Sequence, residues 1–446
     1  MGRGRGRGSE AKKHPVRHLD FAARAGRAAL VLALFGTALV VDARADNAFD
    51  APKRLLTLLA IAAAAAAVFG WRPGTAPAAL PWKDAPRMPV LAVWLLVLAV
   101  GAATLSALVS PHRAVAFDSL RAILVYALLL PLGASRAMER PQRLLAAFLA
   151  ATAINASVSL LQASGTYTPF AIRAWGGRES TGAFAGNVGY LALALALAAL
   201  ATLGIGLHTR SKPMRALCVA GVALFVAALI VNQNLTALTA LVAGSVLLAV
   251  LRLGRRSWLP LVVLAVSVLA AASLYRPLRT RAGEVLSAAR ARDWDRLVTY
   301  RAGPWLAAVE MARERPLTGF GPGTFGQEFV PHRLKAEIQA RRRFVNPLVT
   351  SSYAEAHCDY LQPFAEIGVL GGAAAAGSAT LLLVSLIGAL RRMEGTRRAE
   401  AVVVAAILIA GATAALTWFP LQRPITVVPL LLAAGRGWRL AAEAAP

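Results

Sequence analysis

The sequence is poor in charged residues for a chain of 446 residues. Only 16% of its residues are Asp, Glu, Lys or Arg, whereas a soluble globular domain carries about 25%. In contrast, 57% of the residues are hydrophobic, and they stand in long blocks without the alternation of an amphipathic helix or a strand. The composition therefore excludes an ordinary soluble fold and indicates a membrane protein.

Cysteine is scarce, and the motifs that bind common cofactors are missing. Cys218 lies in a predicted span and Cys358 at the mouth of another, so we predict no disulfide. The six histidines lack the close His, Cys or carboxylate spacing of zinc sites. No P-loop, no Gly-x-Ser-x-Gly elbow and no Asp-x-Asp pair occurs. We expect neither a metal nor a cofactor.

Acidic residues are also few, 22 against 48 Lys and Arg, which gives a net charge of +26. In a soluble protein this excess would indicate nucleic-acid binding, but no basic patch interleaved with aromatic residues is present. The basic residues concentrate instead in the tails and in alternate loops between the apolar blocks. This asymmetry places both termini in the cytoplasm. Because membrane topology explains the basic excess, we predict no nucleic-acid partner.

The apolar blocks predict an all-α polytopic membrane protein with about twelve transmembrane helices. A span needs about 20 apolar residues to cross the hydrocarbon core, and blocks of that kind recur to the C-terminus. The predicted spans are 28–41, 55–70, 89–109, 119–135, 144–163, 185–207, 216–231, 235–251, 258–275, 359–390, 400–419 and 424–440. The separation of 216–231 from 235–251 is the least certain, because one long or broken helix could replace them.

These spans divide the chain into five parts. Residues 1–27 are predicted to be a disordered basic cytoplasmic tail. Residues 28–275 hold the first nine spans, and 276–357 form one large hydrophilic loop. Residues 358–440 hold the last three spans, and 441–446 form a cytoplasmic tail. The charge asymmetry puts the large loop on the outer, periplasmic side.

The large loop has the pattern of a small helical cap. Helices are predicted at 278–291, 294–315 and 332–344, and Pro316 ends the second. The glycine-rich stretch 319–325 is predicted to be a tight turn that closes the cap. It resembles a phosphate-binding loop only weakly, since Pro322 lacks an N–H and no Gly-Lys-Ser/Thr follows.

Residues 355–362 carry the most informative polar side chains. His357, Asp359 and Tyr360 stand where the large loop re-enters the membrane, and Glu366 follows about two helical turns deeper. Polar groups at such a place are costly unless they face a cavity or partners. A catalytic role for His357 and a simple anchoring role at the interface explain this pattern equally well.

Three arginines are candidates for binding an anion. Arg301 offers a planar fork that suits phosphate oxygens and keeps its charge near lipid. Arg173 and Arg178 lie in a glycine-rich segment that precedes a span, where a helix N-terminus favours negative charge. For each of them an ordinary surface or interfacial charge is the alternative.

Three segments together resemble the O-antigen ligase and polymerase superfamily. Residues 355–362, followed by Glu366, Gly368 and Gly371, resemble its Ala-His-Asn-x-Tyr-Leu…Glu-x-Gly-x-x-Gly signature. Residues 301–325 resemble a segment early in the same loop of the family, and 182–187 resemble its Gly-x-Phe-x-Asn entry to a central span. The similarity extends over most of the chain beyond about residue 85.

The resemblance implies a GT-C-type glycosyltransferase that is inverting and independent of metal. The family takes a saccharide from undecaprenyl diphosphate at the outer face of the bacterial inner membrane. Its histidine corresponds to His357, with Asp359, Tyr360 and Glu366 as supporting residues. Its loop arginine corresponds to Arg301, and Arg178 matches an arginine ahead of the Gly-x-Phe segment.

The sequence departs from the family at two places. Cys358 replaces the usual Asn. Many members also carry a Ser-Arg where this chain has residues 234–236, Asn-Leu-Thr. A contact to the donor diphosphate that is expected there would then come from another arginine, such as Arg173 or Arg178.

Several functions remain open at this point. An O-antigen ligase would use lipid A-core as acceptor, a polymerase another carrier-linked saccharide, and an oligosaccharyltransferase a protein. A polysaccharide transporter or flippase is the alternative from a different class. The polar run 232–234 near a span break keeps it open, although no half-repeat is evident.

Overall fold

The computed structural model describes residues 14–45, 47–70, 87–166, 180–253, 273–344 and 353–444. Within these ranges the regular structure is helical, and no strand is present. The helices are α1 (His14–Leu39), α2 (Asp50–Phe69), α3 (Arg87–Val109), α4 (Arg113–Ala127), α5 (Leu129–Ala134), α6 (Pro141–Ala163), α7 (Val188–His208), α8 (Lys212–Asn232), α9 (Leu235–Leu253), α10 (Arg276–Arg290), α11 (Trp294–Leu297), α12 (Ala302–Glu314), α13 (Phe325–Ala340), α14 (Gln362–Ala389), α15 (Gly395–Ala415) and α16 (Pro424–Glu443).

Eleven helices among the described residues are long and apolar enough to cross a membrane. Each coincides with a predicted span, and α4 and α5 together form one of them, Arg113–Ala134. The remaining predicted span, 258–275, lies outside the described residues except for its last three. The all-α polytopic membrane fold is confirmed.

The uncertain break between α8 and α9 is present. Gln233 adopts a left-handed conformation with φ 52°, which ends α8. The Asn234 side chain then caps α9 by accepting a hydrogen bond of 2.9 Å from the Ala237 backbone N–H. Residues 216–231 and 235–251 therefore belong to two helices.

Helix α7 lies at the centre of the bundle. In an apolar stretch of 18 residues within α7, 83% of the residues are buried, a larger share than in any other candidate span of the described chain. Its sequence alternates leucine with alanine, and small residues allow neighbouring helices to approach closely within a membrane. Helices α8, α9 and α15 pack around it. The N-terminus of α7, which carries Tyr190, lies beside Trp418 and Phe419 of the site described below.

The hydrophilic loop contains α10 to α13, and two predictions about it were wrong in detail. The predicted helix 294–315 is broken between α11 and α12, because Thr299 and Tyr300 have φ values of 58° and 59°. The predicted helix 332–344 begins earlier, at Phe325, since Phe325 and Phe329 are both fully buried in the core of the loop. It ends at Ala340, where Arg341 turns left-handed.

The glycine-rich stretch 319–325 pairs with a membrane helix instead of only closing the cap. Helix α14 is interrupted at Gly368, which has φ 75°. The Phe320 and Gly321 N–H groups donate to the Ala365 and Glu366 carbonyls at 3.1 and 2.9 Å. The Val369 N–H in turn donates to the Pro316 carbonyl at 2.7 Å. The loop is thus bonded directly into α14.

Candidate functional site

His357 is held in an unusual backbone conformation just before α14. Its φ of 54° lies in the left-handed region, which non-glycine residues occupy only when their surroundings hold them there. The Trp305 indole N–H donates to the His357 carbonyl at 3.3 Å. The imidazole Nδ1 lies 3.0 Å from the Glu355 carbonyl oxygen. Both contacts fix the position of the ring.

The protonation state of His357 follows from this geometry. Burial lowers the pKa of His357 to about 4, and the positive charge of Arg301 lowers it further than burial alone would. The imidazole is therefore neutral at physiological pH. Because the Glu355 carbonyl can only accept a hydrogen bond, Nδ1 carries the proton and Nε2 keeps its lone pair. His357 is thus prepared to accept a proton at Nε2.

Aromatic rings enclose the imidazole on several sides. The ring centroids of Tyr353, Trp418 and Phe419 lie 5.3, 5.2 and 4.8 Å from that of His357, all at steep edge-to-face angles. Trp418 and Phe419 stack on each other at 4.4 Å. These rings provide the apolar surroundings that keep the imidazole uncharged.

Arg301 reaches the same aromatic cluster from the loop. It follows the left-handed pair Thr299 and Tyr300 and precedes α12. Its guanidinium carbon lies 5.6 Å from the centre of the Trp418 ring, a distance typical of a cation–π contact. The structure therefore brings Arg301 and His357, which are 56 residues apart in the chain, onto one indole.

Arg423 is a site residue that the sequence reasoning missed. It precedes α16 and lies 2.8 Å from the Asp50 carboxylate with Nη1. Its Nη2 forms an ion pair with Glu355, two residues before His357. The only local signal was an arginine at the mouth of a span, and nothing in the sequence paired it with Glu355.

Asp359 and Tyr360 are bonded to the end of α15 and to the turn between α15 and α16. The Asp359 carboxylate accepts a hydrogen bond from the Leu421 N–H at 2.8 Å, and its own N–H donates to the Ala415 carbonyl at 3.0 Å. The Tyr360 hydroxyl donates to the Ala412 carbonyl at 3.0 Å. Burial raises the pKa of Asp359 to about 7. The two residues hold the turn that carries Trp418.

Glu366 supports the loop, not the imidazole directly. Its buried carboxylate accepts hydrogen bonds from the Gly323 N–H at 2.9 Å, the Phe325 N–H at 3.3 Å and the Gln362 side chain at 2.8 Å. Gln362 also accepts a hydrogen bond of 2.9 Å from the Ala356 N–H. Through Gln362, Glu366 connects the glycine-rich stretch to the His357 segment.

The two other predicted arginines, Arg173 and Arg178, lie outside the described residues. The segment that follows them is described and reaches the site. A Cβ on Gly186 would lie 2.2 Å from the Phe49 ring, and one on Gly189 would lie 2.3 Å from the Trp418 ring. Gly189 thus makes room for Trp418 of the aromatic cluster, and Gly186 makes room for Phe49.

The polar run at the α8–α9 break has structural partners. The buried Asn232 side chain donates to Ser159 and to Thr181 at 3.0–3.1 Å. The Thr236 hydroxyl lies 3.0 Å from that of Thr417. The segment in which the family's Ser-Arg is expected therefore lies beside the turn that carries Trp418.

The described residues contain no group of three or more His, Cys, Asp or Glu side chains placed to hold a metal ion. What the site does contain is a neutral imidazole with a lone pair, a guanidinium nearby and an apolar enclosure. A base and a cation so arranged suit a reaction in which a hydroxyl loses a proton and a leaving group gains negative charge.

A comparison with family models relates the chain to a known family. The family model described as O-antigen ligase matches residues 220–376, a stretch that runs from α8 through the loop to the first half of α14. It contains Arg301, His357, Asp359, Tyr360 and Glu366. No curated protein matches the chain. The match confirms the resemblance to the O-antigen ligase superfamily over these residues, and the segment 182–187 lies outside it.

Proposed function

We propose that this chain, which carries an O-antigen ligase domain in a polytopic membrane protein, transfers a saccharide from undecaprenyl diphosphate to lipid A-core. Ligase and polymerase members share the domain, and the enzyme is a glycosyltransferase of that kind. The observation that carries the proposal is the convergence of His357 and Arg301 on Trp418. It puts a proton acceptor and a cation in one apolar site at the membrane boundary.

The reaction follows from these two groups. The Nε2 lone pair of His357 accepts the proton of the acceptor hydroxyl, and the hydroxyl oxygen forms a new bond to C1 of the donor sugar. The bond between C1 and the diphosphate oxygen breaks, and attack from the opposite face inverts C1. General-base assistance of this kind contributes about 10²–10⁴-fold.

Arg301 acts on the leaving group. Negative charge develops on the diphosphate of the carrier as the bond to C1 breaks, and the guanidinium offers a fork of N–H donors to phosphate oxygens. One such donor in a water-poor site contributes about 3–4 kcal/mol to the transition state. Arg178 and Arg173 are proposed as further contacts to the diphosphate.

The proposed location is the bacterial inner membrane. Both termini lie in the cytoplasm and the loop of α10–α13 in the periplasm, a topology supported by the excess of Lys and Arg in alternate loops. With this orientation His357 and Arg301 stand at the periplasmic face. A lipid-linked donor would reach them there.

A transfer assay in detergent tests the proposal. The purified protein receives an undecaprenyl-diphosphate saccharide together with lipid A-core and a second carrier-linked saccharide as competing acceptors. We expect product on lipid A-core with wild-type protein and none with His357→Ala. Product on the second carrier would identify a polymerase, the second candidate function that the domain allows.

The same assay has two outcomes that contradict the mechanism. Full transfer by a stably inserted His357→Ala protein would show that the imidazole is not the base. The absence of any sugar transfer by wild-type protein, combined with movement of the lipid-linked saccharide across vesicles, would identify a flippase.

A further inference from the structure

The guanidinium group of Arg423 contacts two carboxylates and two aromatic rings. Its two terminal nitrogens contact the Asp50 and Glu355 carboxylates. Its guanidinium carbon lies 4.7 Å from the centre of the Tyr190 ring and 5.1 Å from that of Phe419. Because four neighbours from four segments restrain it, this side chain has little freedom to move.

Two of these four neighbours are also the neighbours of His357. The Glu355 carbonyl accepts the hydrogen bond from Nδ1 of the imidazole at 3.0 Å. The Phe419 ring lies 4.8 Å from the imidazole centroid. A contact that restrains Glu355 and Phe419 therefore also restrains the ring of His357. The left-handed backbone of His357 needs such restraint.

The charges around Arg423 suit it to holding neighbouring residues in place and not to binding substrate. Two carboxylates share one guanidinium, and the Arg423 and Glu355 side chains are only 17% and 15% exposed. A phosphate would have to displace one of the carboxylates from Arg423.

We propose that Arg423 is a positioning residue for the transfer reaction: it orients His357 through Glu355 and Phe419 and ties both to Asp50 at the start of α2. The inference rests on the proposed function. It assigns to the α1–α2 pair, which lies far from the O-antigen ligase domain in sequence, a share in aligning the base.

Steady-state kinetics of purified Arg423→Lys and Arg423→Gln tests this role. A misplacement of about 1 Å costs about 10²-fold in rate, so we expect kcat to fall by about that factor in Arg423→Gln while the KM for the donor changes little. Arg423→Lys keeps the charge but cannot bridge both carboxylates. Its kcat should therefore lie between those of the wild-type protein and Arg423→Gln. Asp50→Asn, which leaves the Glu355 pair intact, should lose less than Arg423→Lys.

The pH profile provides a readout that a merely structural residue would not move. The positive charge of Arg423 helps to lower the pKa of His357. In Arg423→Gln the acid limb of kcat should therefore move to higher pH, whereas in Arg423→Lys it should stay in place.

Arg436→Gln is the matched control. Arg436 lies in the same helix α16, is similarly buried, and binds Glu400 with both Nε and Nη2 at 2.7 and 2.9 Å. An equal loss of kcat in Arg436→Gln would show a general stability effect and overturn the proposal. A rise in donor KM without loss of kcat in Arg423→Lys would also overturn it.

If Arg423→Gln does not fold, Arg423→Lys and Asp50→Asn decide the matter. Unchanged kcat in both would refute the proposal. A wild-type protein without transfer activity would refute the proposed function instead, so the two failures are distinguishable.

Discussion

The indole N–H of Trp305 donates a hydrogen bond of 3.3 Å to the backbone carbonyl of His357. Trp305 belongs to α12 in the hydrophilic loop, and His357 stands at the end of that loop just before α14. This contact connects the segment that begins with Arg301 to the proposed base. The geometry of the base thus depends on a residue of the loop.

Trp305→Phe removes this donor while keeping an aromatic ring. A hydrogen bond of this kind contributes about 1 kcal/mol, so we expect kcat to fall about fivefold. The transfer assay measures the change. A Trp305→Phe protein with unchanged kcat and unchanged melting temperature would show that the contact is dispensable.

On the acid side, the transfer rate should begin to fall only at an unusually low pH. The base form of His357 is the neutral form, and its pKa is lowered to about 4 from the ordinary value of 6.5. The rate should therefore be constant from neutral pH down to about 5 and fall as pH drops through 4. A rate that already halves near pH 6.5 would contradict the burial of the imidazole.

Arg301→Lys should be harmful although it keeps the charge. An ammonium group is a point charge and does not replace the two parallel donors of a guanidinium. We expect a loss of more than about tenfold in kcat/KM for the lipid-linked donor. The surface arginine Arg313, which pairs with Glu310 in the same loop, provides the control Arg313→Lys. Unchanged turnover in Arg301→Lys would assign a structural role to Arg301.

Asp359→Asn should stabilise the protein relative to wild type as pH rises. The pKa of Asp359 in the folded state is about 7, above its ordinary value of 3.8, so the folded state binds the proton more tightly than the unfolded state does. The stability that the protonated Asp359 carboxyl contributes to the folded protein is fully present below about pH 4 and is lost as the pH rises through 7. The amide keeps an acceptor for the Leu421 N–H without this loss.

Melting temperatures in detergent between pH 5 and pH 8 provide the measurement for Asp359. The difference between Asp359→Asn and wild type should grow in favour of the variant across this interval. A difference that stays constant or reverses would show that the carboxylate remains charged in the folded protein throughout.

Gly368→Ala should disrupt the junction between the loop and α14. Gly368 has φ 75°, and a Cβ there would lie 2.2 Å from the Leu317 carbonyl oxygen. We expect a loss of more than about 2 kcal/mol in stability. Gly388 lies in the same helix with no atom within 4 Å of its added Cβ, so Gly388→Ala should be tolerated. Equal melting temperatures for the two variants would contradict the importance of the kink.

The membrane helices were the most predictable part of the chain. Apolar length alone located eleven of them, because a span must satisfy its backbone hydrogen bonds within itself. The break at residues 233–234 was recognisable because polar residues interrupt an apolar run. The break at residues 299–300 was not, since Thr and Tyr rarely adopt positive φ and carry no local signal for it.

The candidate site was predictable only in part. His357 and Arg301 stand in segments whose order and spacing matched a known signature. Arg423, Trp418 and Asp50 reach the site from distant segments, and their contacts with Glu355, Arg301 and His357 follow from how α2, α7 and α16 pack. A single sequence carries no record of such contacts.

The pairing of the glycine-rich stretch with the kink of α14 has a consequence for how the hydrophilic loop can be studied. The buried cluster of the loop includes Ala365, a residue of the membrane helix, together with Phe320, Phe325 and Phe329. Cutting the loop out of the chain would remove part of its own core and leave the N–H groups of Phe320 and Gly321 without acceptors. The loop is therefore not a separable module, and its fold has to be examined in the intact protein.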